Sequence, residues 1–180
     1  PTESPPGLAV AAVPERGPVE ECLLVRPDVW HEPADGDWLP LPEGARVGTG
    51  SARRATQLLA ARPDLSIADL RGNVPTRVAK VRDGGYDAIV LARAGLERLG
   101  LEVDPLRVVT FSPELFVPAP AQGALGLQMR DGEARRDGDD ELEKALARLD
   151  HTPTRHCIEA ERRVLAALEG GCNLPLGAYA

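Results

Sequence analysis

Aromatic side chains make up only 3% of the 180 residues, so a core must rest on Leu, Val, Ile and Ala. Cysteine is scarce as well: Cys22, Cys157 and Cys172 are an odd set with no C-x-x-C pair. That argues against a disulfide framework and against a zinc site, so no metal is expected. It fits a reducing cytoplasm. No apolar run approaches the length that spans a bilayer. The first residues show no charged segment followed by an apolar one, so neither a membrane span nor a signal peptide is expected. The net charge of -7 and the few aromatics argue against a nucleic-acid binder.

What is present suits a globular α/β chain. An apolar share of 43% supports a sizeable core in one large domain or two small ones. Seventeen prolines and eighteen glycines point to many loops and several crossings between lobes. The charge is uneven. Ser51 to Arg98 holds eight Arg and one Lys against four Asp and one Glu, a net of +4, which leaves -11 for the rest. A basic island in an acidic chain favours capture of a compact anion.

The stretch from Val47 to Arg77 organises the chain. V-G-T-G-S-A-R-R and R-G-N-V-P-T-R each sit where a strand is expected to give way to a helix. That junction is where open α/β sheets place ligands. A helix N-terminus there offers unpaired N–H groups and a positive dipole end. Arg53, Arg54, Arg71 and Arg77 add forked cationic donors suited to carboxylate or phosphate. The expectation is a pocket for a small polyanion.

In chain order, Gly7–Val13 reads as a buried strand that needs sheet neighbours from elsewhere, as if an earlier part of a domain were missing. Val19–Val25 reads as a strand, and Arg26–Pro42 as an irregular connection with His31 at the surface. Ala45–Thr49 is a strand, followed by a helix capped by Ser51 that runs to about Ala61. Leu65–Leu70 is the next strand. Pro75 then falls in the first turn of a helix ending near Arg82. Tyr86–Ala92 is a strand buried on both faces, and Arg93–Leu99 a short helix. This alternation predicts βαβ units with a parallel sheet. Arg107–Phe111 is a further strand and Leu115–Pro120 an extended crossing. Gly123–Met129 is expected to pair with Gly7–Val13, so that the chain leaves one lobe and returns. Asp140–Leu149 and His151–Leu168 are helices, with Glu159 and Arg163 as an i,i+4 pair. Cys22 and Cys157 are expected in the core. Cys172, on a glycine-rich loop, suits a nucleophile or covalent anchor; the other reading is a small apolar residue in a turn.

These residues carry a family resemblance. V-G-T-G-S-A-R-R resembles the G-T-S-S-x-R-R of the porphobilinogen deaminases, also called hydroxymethylbilane synthases. R-G-N-V-P-T-R resembles their R-G-N-x-x-T-R, and Y-D-A-I-V-L-A-R-A-G-L-E-R-L-G their Y-D-A-I-x-L-A-x-A-G-L-x-R-L-G. A-Q-G-A-L-G-L-Q resembles their G-Q-G-A, and L-E-G-G-C-N-L-P-L-G-A-Y-A their cofactor-cysteine loop. The five motifs stand in the family's order along the whole chain.

The resemblance implies a transferase of tetrapyrrole (haem and chlorophyll) biosynthesis. It would join four porphobilinogen units, with loss of ammonia, onto a dipyrromethane cofactor tethered through Cys172. By position, Thr49, Ser51, Arg53, Arg54, Arg71, Gly72 and Gly171 match cofactor-binding residues. Arg77, Arg98 and Gln122 match residues that hold the substrate and the growing polypyrrole. The implied fold is a periplasmic-binding-protein-like second domain with a mixed sheet over 19–116. A remnant of a first domain lies at 1–18, a hinge and return at 117–149, and the start of a small α+β third domain at 150–180. A cytoplasmic monomer with no nucleic-acid or membrane partner is implied. Gly50, Ala52, Ala121 and Arg93 depart from the family's pattern. The family's catalytic Asp segment is expected upstream of Pro1, so the 180 residues alone are expected to be inactive. A non-catalytic module binding small anions is the alternative.

Overall fold

The computed structural model describes residues 5–33, 36–168 and 174–180. Its elements are β1 (Leu8–Ala12), β2 (Glu21–Val25), β3 (Arg46–Gly48), α1 (Ala52–Ala61), β4 (Ser66–Ala68), α2 (Val74–Arg82), β5 (Ala88–Ala92), α3 (Arg93–Leu99), β6 (Arg107–Thr110), β7 (Leu127–Arg130), α4 (Asp139–Ala147) and α5 (Thr152–Ala167). The chain divides into two compact units, Pro1–Pro18 with Ala119–Ala180, and Val19–Pro118. Residues 150–180 cluster with the first of these.

The unit Val19–Pro118 is a five-stranded sheet in the order β4-β3-β5-β2-β6. β3 runs parallel to β4 and β5, while β2 is antiparallel to β5 and β6, so the sheet is mixed. The all-apolar β5 (A-I-V-L-A) and the L-L-V of β2 take the centre because both their faces are covered. Their side chains alternate between two cores. Leu23, Val25, Ala88 and Val90 join Leu58, Phe111 and Phe116 on one face; Cys22, Leu24, Ile89 and Leu91 join Val78, Val81 and Leu96 on the other. The few aromatics are concentrated here: Trp38 meets Phe111 edge-on at 4.8 Å, and Phe111 lies 5.0 Å from Phe116.

Local chemistry sets the helix boundaries. Ser51 accepts from the Arg54 N–H at 3.5 Å, and Asn73 from the Thr76 N–H at 3.0 Å, so α1 and α2 each have a side-chain cap. Gly100 closes α3 with φ +53, a conformation that glycine adopts freely. At Gly48 a side chain would meet the Tyr86 ring at 2.7 Å, so glycine there is a matter of space.

The unit Pro1–Pro18 with Ala119–Ala180 pairs β1 with β7 antiparallel, with a register shift between Val10 and Ala12. The expected pairing of the early apolar run with Gly123–Met129 is thus present, centred slightly later in the chain. Buried Glu161 of α5 accepts from Arg16 Nη1 and Nη2 (2.7 and 3.0 Å), from the Ala121 N–H (2.6 Å) and from the Ala180 N–H (3.0 Å). Ala121 sits at φ +61, where an L side chain crowds its own backbone. Ala121→Gly is therefore expected to raise stability by about 1 kcal/mol, read by chemical denaturation. Gly123 is also held by space, because a Cβ there would lie 2.4 Å from the Pro18 carbonyl oxygen.

Asp150 joins β1 to the start of α5. It accepts from the Val13 N–H at 2.7 Å and pairs with Arg155. The Arg155 fork first, and then the Val13 N–H, hold its carboxyl below the usual range. Folded Asp150 thus binds its proton more weakly than unfolded Asp150. Its contribution is complete above about pH 4 and is lost as pH falls from there through the folded pKa. Asp150→Asn should flatten the acid limb of a stability-versus-pH curve while leaving its neutral-to-alkaline slope unchanged.

Two expectations are corrected. Cys157 is half-buried, not core, because α5 turns that position towards its rim. Glu159 faces Arg155 at 4.0 Å, one turn earlier than the expected Arg163. Cys22 is buried and His31 exposed, as expected. No described helix is long and apolar enough to cross a membrane.

Candidate functional site

Because β3, β4 and β5 are mutually parallel, their C-terminal ends open on one edge of the sheet. Thr49–Ser51 follow β3, Asp69–Asn73 follow β4, and α3 follows β5 directly. Thr49 bridges the first two junctions. Its N–H donates to Ala68 O at 3.0 Å, and its buried hydroxyl accepts from the Ser51 N–H at 3.2 Å. Thr49, Ser51, Arg53, Arg54, Arg71, Gly72 and Arg77 therefore meet at a single edge, as the motif spacing predicts. Arg98 begins on the same side but stands in the last turn of α3, about 8 Å along the helix from Arg93. Gln122 belongs to the other unit, in the turn where its carbonyl accepts from Arg16 Nε at 2.8 Å. Gly171 and Cys172 lie outside the described residues.

The arginines are not equivalent. Arg53 and Arg54 turn inward onto Glu21, a carboxylate with no solvent exposure at the start of β2. Arg54 forks onto it through Nε (2.9 Å) and Nη2 (2.7 Å), and its Nη1 donates to Val90 O at 3.2 Å. Arg53 donates to Glu21 and, through Nη1, to Val117 O at 2.6 Å. Burial pulls the Arg53 guanidinium below its ordinary pKa, and the Glu21 carboxylate opposes that shift. Gln57, one turn further on, grips the same peptide: its amide donates to Val117 O at 3.0 Å and accepts from the Val117 N–H at 2.7 Å.

Arg71 is 87% exposed and pairs with Asp69 at 2.7 Å. That hydrogen bond raises the Arg71 pKa and leaves the pair in water, where it is worth little to stability. Arg77 spends Nε on Gly72 O at 2.7 Å. Among the described residues it has no carboxylate partner, so both Nη groups carry an unbalanced charge. Arg93 is tied to Glu97 at 2.6 Å and to Glu20 at 3.6 Å, in keeping with a surface role.

Sequence reasoning missed Glu21, Gln57 and Val117. Glu21 falls inside the expected strand Val19–Val25, which carried no functional reading. Only its register on β2, opposite Ala92 of β5, brings it under α1. A charged residue opening an otherwise apolar strand was the available signal. A separate hollow of about 690 Å³ in the first unit, lined by Leu8, Val10, Leu125, Ile158 and Leu165 among others, contains none of the candidate residues. Among the described residues no group of His, Cys, Asp and Glu is placed to hold a metal ion.

The ends of the parallel strands in this mixed α/β sheet carry capped helix N-termini and guanidinium groups, an arrangement whose chemistry suits a small anion. Residues 1–138 match the family model described as "Porphobilinogen deaminase, dipyromethane cofactor binding domain", and residues 155–180 match its C-terminal domain. The chain belongs to the porphobilinogen deaminase family. It is 49% identical over 180 residues to a porphobilinogen deaminase of Nitratidesulfovibrio vulgaris (strain DP4), covering all of this chain and 52% of that protein. It is 46% identical over 182 residues to one from Roseiflexus castenholzii, covering all of this chain and 54% of the relative. The chain thus spans about half the length of the curated relatives it matches. Among solved structures, the arginine-specific periplasmic binding protein STM4351 of Salmonella typhimurium aligns at TM-score 0.44 and 13% identity, over 86% of this chain and 57% of that one.

Proposed function

We propose that this chain is the part of a hydroxymethylbilane synthase that holds the carboxylates of a cysteine-tethered pyrrole chain. The observation carrying the reading is the cationic edge itself, on a chain of this family. Two capped helix N-termini and an Arg77 guanidinium with no carboxylate partner among the described residues face the C-terminal ends of the parallel strands. Every pyrrole of the substrate carries an acetate and a propionate, and forked guanidinium groups match carboxylates in shape and charge.

The donor set fits a dipyrromethane. Thr49 and Ser51 supply hydroxyls, the α1 N-terminus supplies N–H groups, and Arg53, Arg54 and Arg71 supply positive charge; Gly72, at φ +119, admits close approach of backbone. When bound, the dipyrromethane supplies the primer on which four porphobilinogen units are added with loss of ammonia, and Cys172 is its thioether anchor. Arg77, Arg98 and Gln122 hold incoming and growing chain. In this role the arginines hold acid side arms in fixed places while the pyrrole nitrogens gain positive charge, and their own charge keeps accumulating carboxylates from repelling one another. The protein acts as a cytoplasmic monomer on a diffusible substrate, with no metal, nucleic-acid or membrane partner.

The test is turnover by the purified full-length parent. Given porphobilinogen, it should release one ammonia per unit consumed and one linear tetrapyrrole per four units. Tight porphobilinogen binding without ammonia release would instead favour a non-catalytic module.

A further inference from the structure

We propose that Glu21 is a positioning residue for the arginine pair: it presets Arg53 and Arg54 for the carboxylates they receive. The inference rests on the reading of that pair as carboxylate holders and adds a part that the sequence motifs do not contain.

Three observations carry it. The Glu21 carboxylate is fully enclosed, and its two oxygens accept three guanidinium N–H groups, one from Arg53 and two from Arg54. Every one of those bonds is charge-assisted, and the Arg54 contact is bidentate, which fixes the plane of its guanidinium as well as its position. The other ends are fastened to backbone: Arg54 to Val90 O in the central strand β5, and Arg53 to Val117 O, a peptide that Gln57 also holds on both sides. Neither arginine is free to swing.

The arithmetic of charge and donors then gives the function. Two cations face one anion, so the cluster keeps one unbalanced positive charge. A guanidinium has five N–H groups. Arg54 spends three on Glu21 and Val90, and Arg53 spends two on Glu21 and Val117. The remaining donors are held in place before any ligand arrives. Holding them beforehand removes the side-chain ordering cost from binding. Without the Glu21 charge, two adjacent guanidinium groups would repel each other in a poorly hydrated site and lose their common orientation.

The experiment uses the full-length, cofactor-loaded parent, given limiting porphobilinogen. Intact mass then counts the pyrroles attached to each molecule, and thermal melting reports the folded fraction. Arg54→Leu, Glu21→Gln and Glu21→Asp are compared. In its folded fraction Glu21→Gln should accumulate the same stalled chain length as Arg54→Leu, with turnover down about tenfold. A purely structural role would lower the folded fraction and leave the chain-length distribution of folded molecules unchanged. A wild-type distribution for Glu21→Gln, with Arg54→Leu stalled, overturns the positioning role alone. Wild-type distributions for both overturn the carboxylate-holding reading as well. Should Glu21→Gln fail to fold, Glu21→Asp decides. It keeps the charge but is one methylene too short to bridge both arginines. Stalling at the same length supports the role, and a wild-type distribution overturns it.

Discussion

Replacing Arg54 with leucine in the full-length parent is expected to cut tetrapyrrole formation by about 30- to 160-fold, the loss of a bidentate charge-assisted contact worth about 2–3 kcal/mol. The variant should remain folded, for a reason visible in the buried cluster. Glu21 faces two arginines, so removing one leaves a balanced pair with Arg53. The leucine replaces a side chain that is only 12% exposed. Steady-state turnover and a thermal melt measure the two halves of the prediction. Turnover within threefold of wild type would refute a role for Arg54 in holding the growing chain.

The second large effect is on stability. Glu161→Gln should destabilise the unit Pro1–Pro18 with Ala119–Ala180 by about 3–5 kcal/mol, the usual loss when one partner of a buried ion pair is removed. The Glu161 side chain is 1% exposed and that of Arg16 10%. The carboxylate also accepts the N–H groups of Ala121 and Ala180. Glutamine has a single acceptor oxygen, and its NH₂ would point at a donor. Arg16 would be left charged and unpaired in a nearly dry place, although its guanidinium also stands 5.7 Å from the centre of the Tyr179 ring. Denaturant titration of the full chain provides the measurement. A loss below about 1 kcal/mol would mean that water or a neighbouring group takes over the role of the carboxylate.

The fold was legible wherever a local rule and the burial pattern agreed. The G-T-G-S-A-R-R stretch placed a strand end, a cap and a helix within three residues, and Ser51 caps α1 as its hydroxyl allows. The unbroken apolar run of β5 announced a central strand. Gly7–Val13 and Gly123–Met129, apolar stretches more than a hundred residues apart, pair as β1 and β7. What stayed hidden depended on register and on three-dimensional neighbours. The strand–helix alternation alone predicted a parallel sheet; the mixed direction, which the family resemblance implied, arises because β2 enters antiparallel between β5 and β6.

The candidate site divides the same way. Strand–helix junctions and arginine spacing located the edge, because ligand-facing ends of parallel strands follow from topology. They did not reveal that Arg53 and Arg54 share an internal carboxylate while Arg77 has none among the described residues. Charge balance is a property of contacts across the sheet, and Glu21 lies thirty-two positions before Arg53. The sequence pattern shows which cations stand at this edge, and not which of them share an internal carboxylate. Arg71 is exposed beside Asp69 and Arg77 has no carboxylate partner among the described residues, while Arg53 and Arg54 are held by Glu21.

The intact mass of the full-length parent, purified without added substrate, tests the central claim most directly. The expected mass exceeds that of the polypeptide by one dipyrromethane, and the excess is abolished in Cys172→Ser. A mass equal to the bare sequence, or an excess that survives Cys172→Ser, would contradict it.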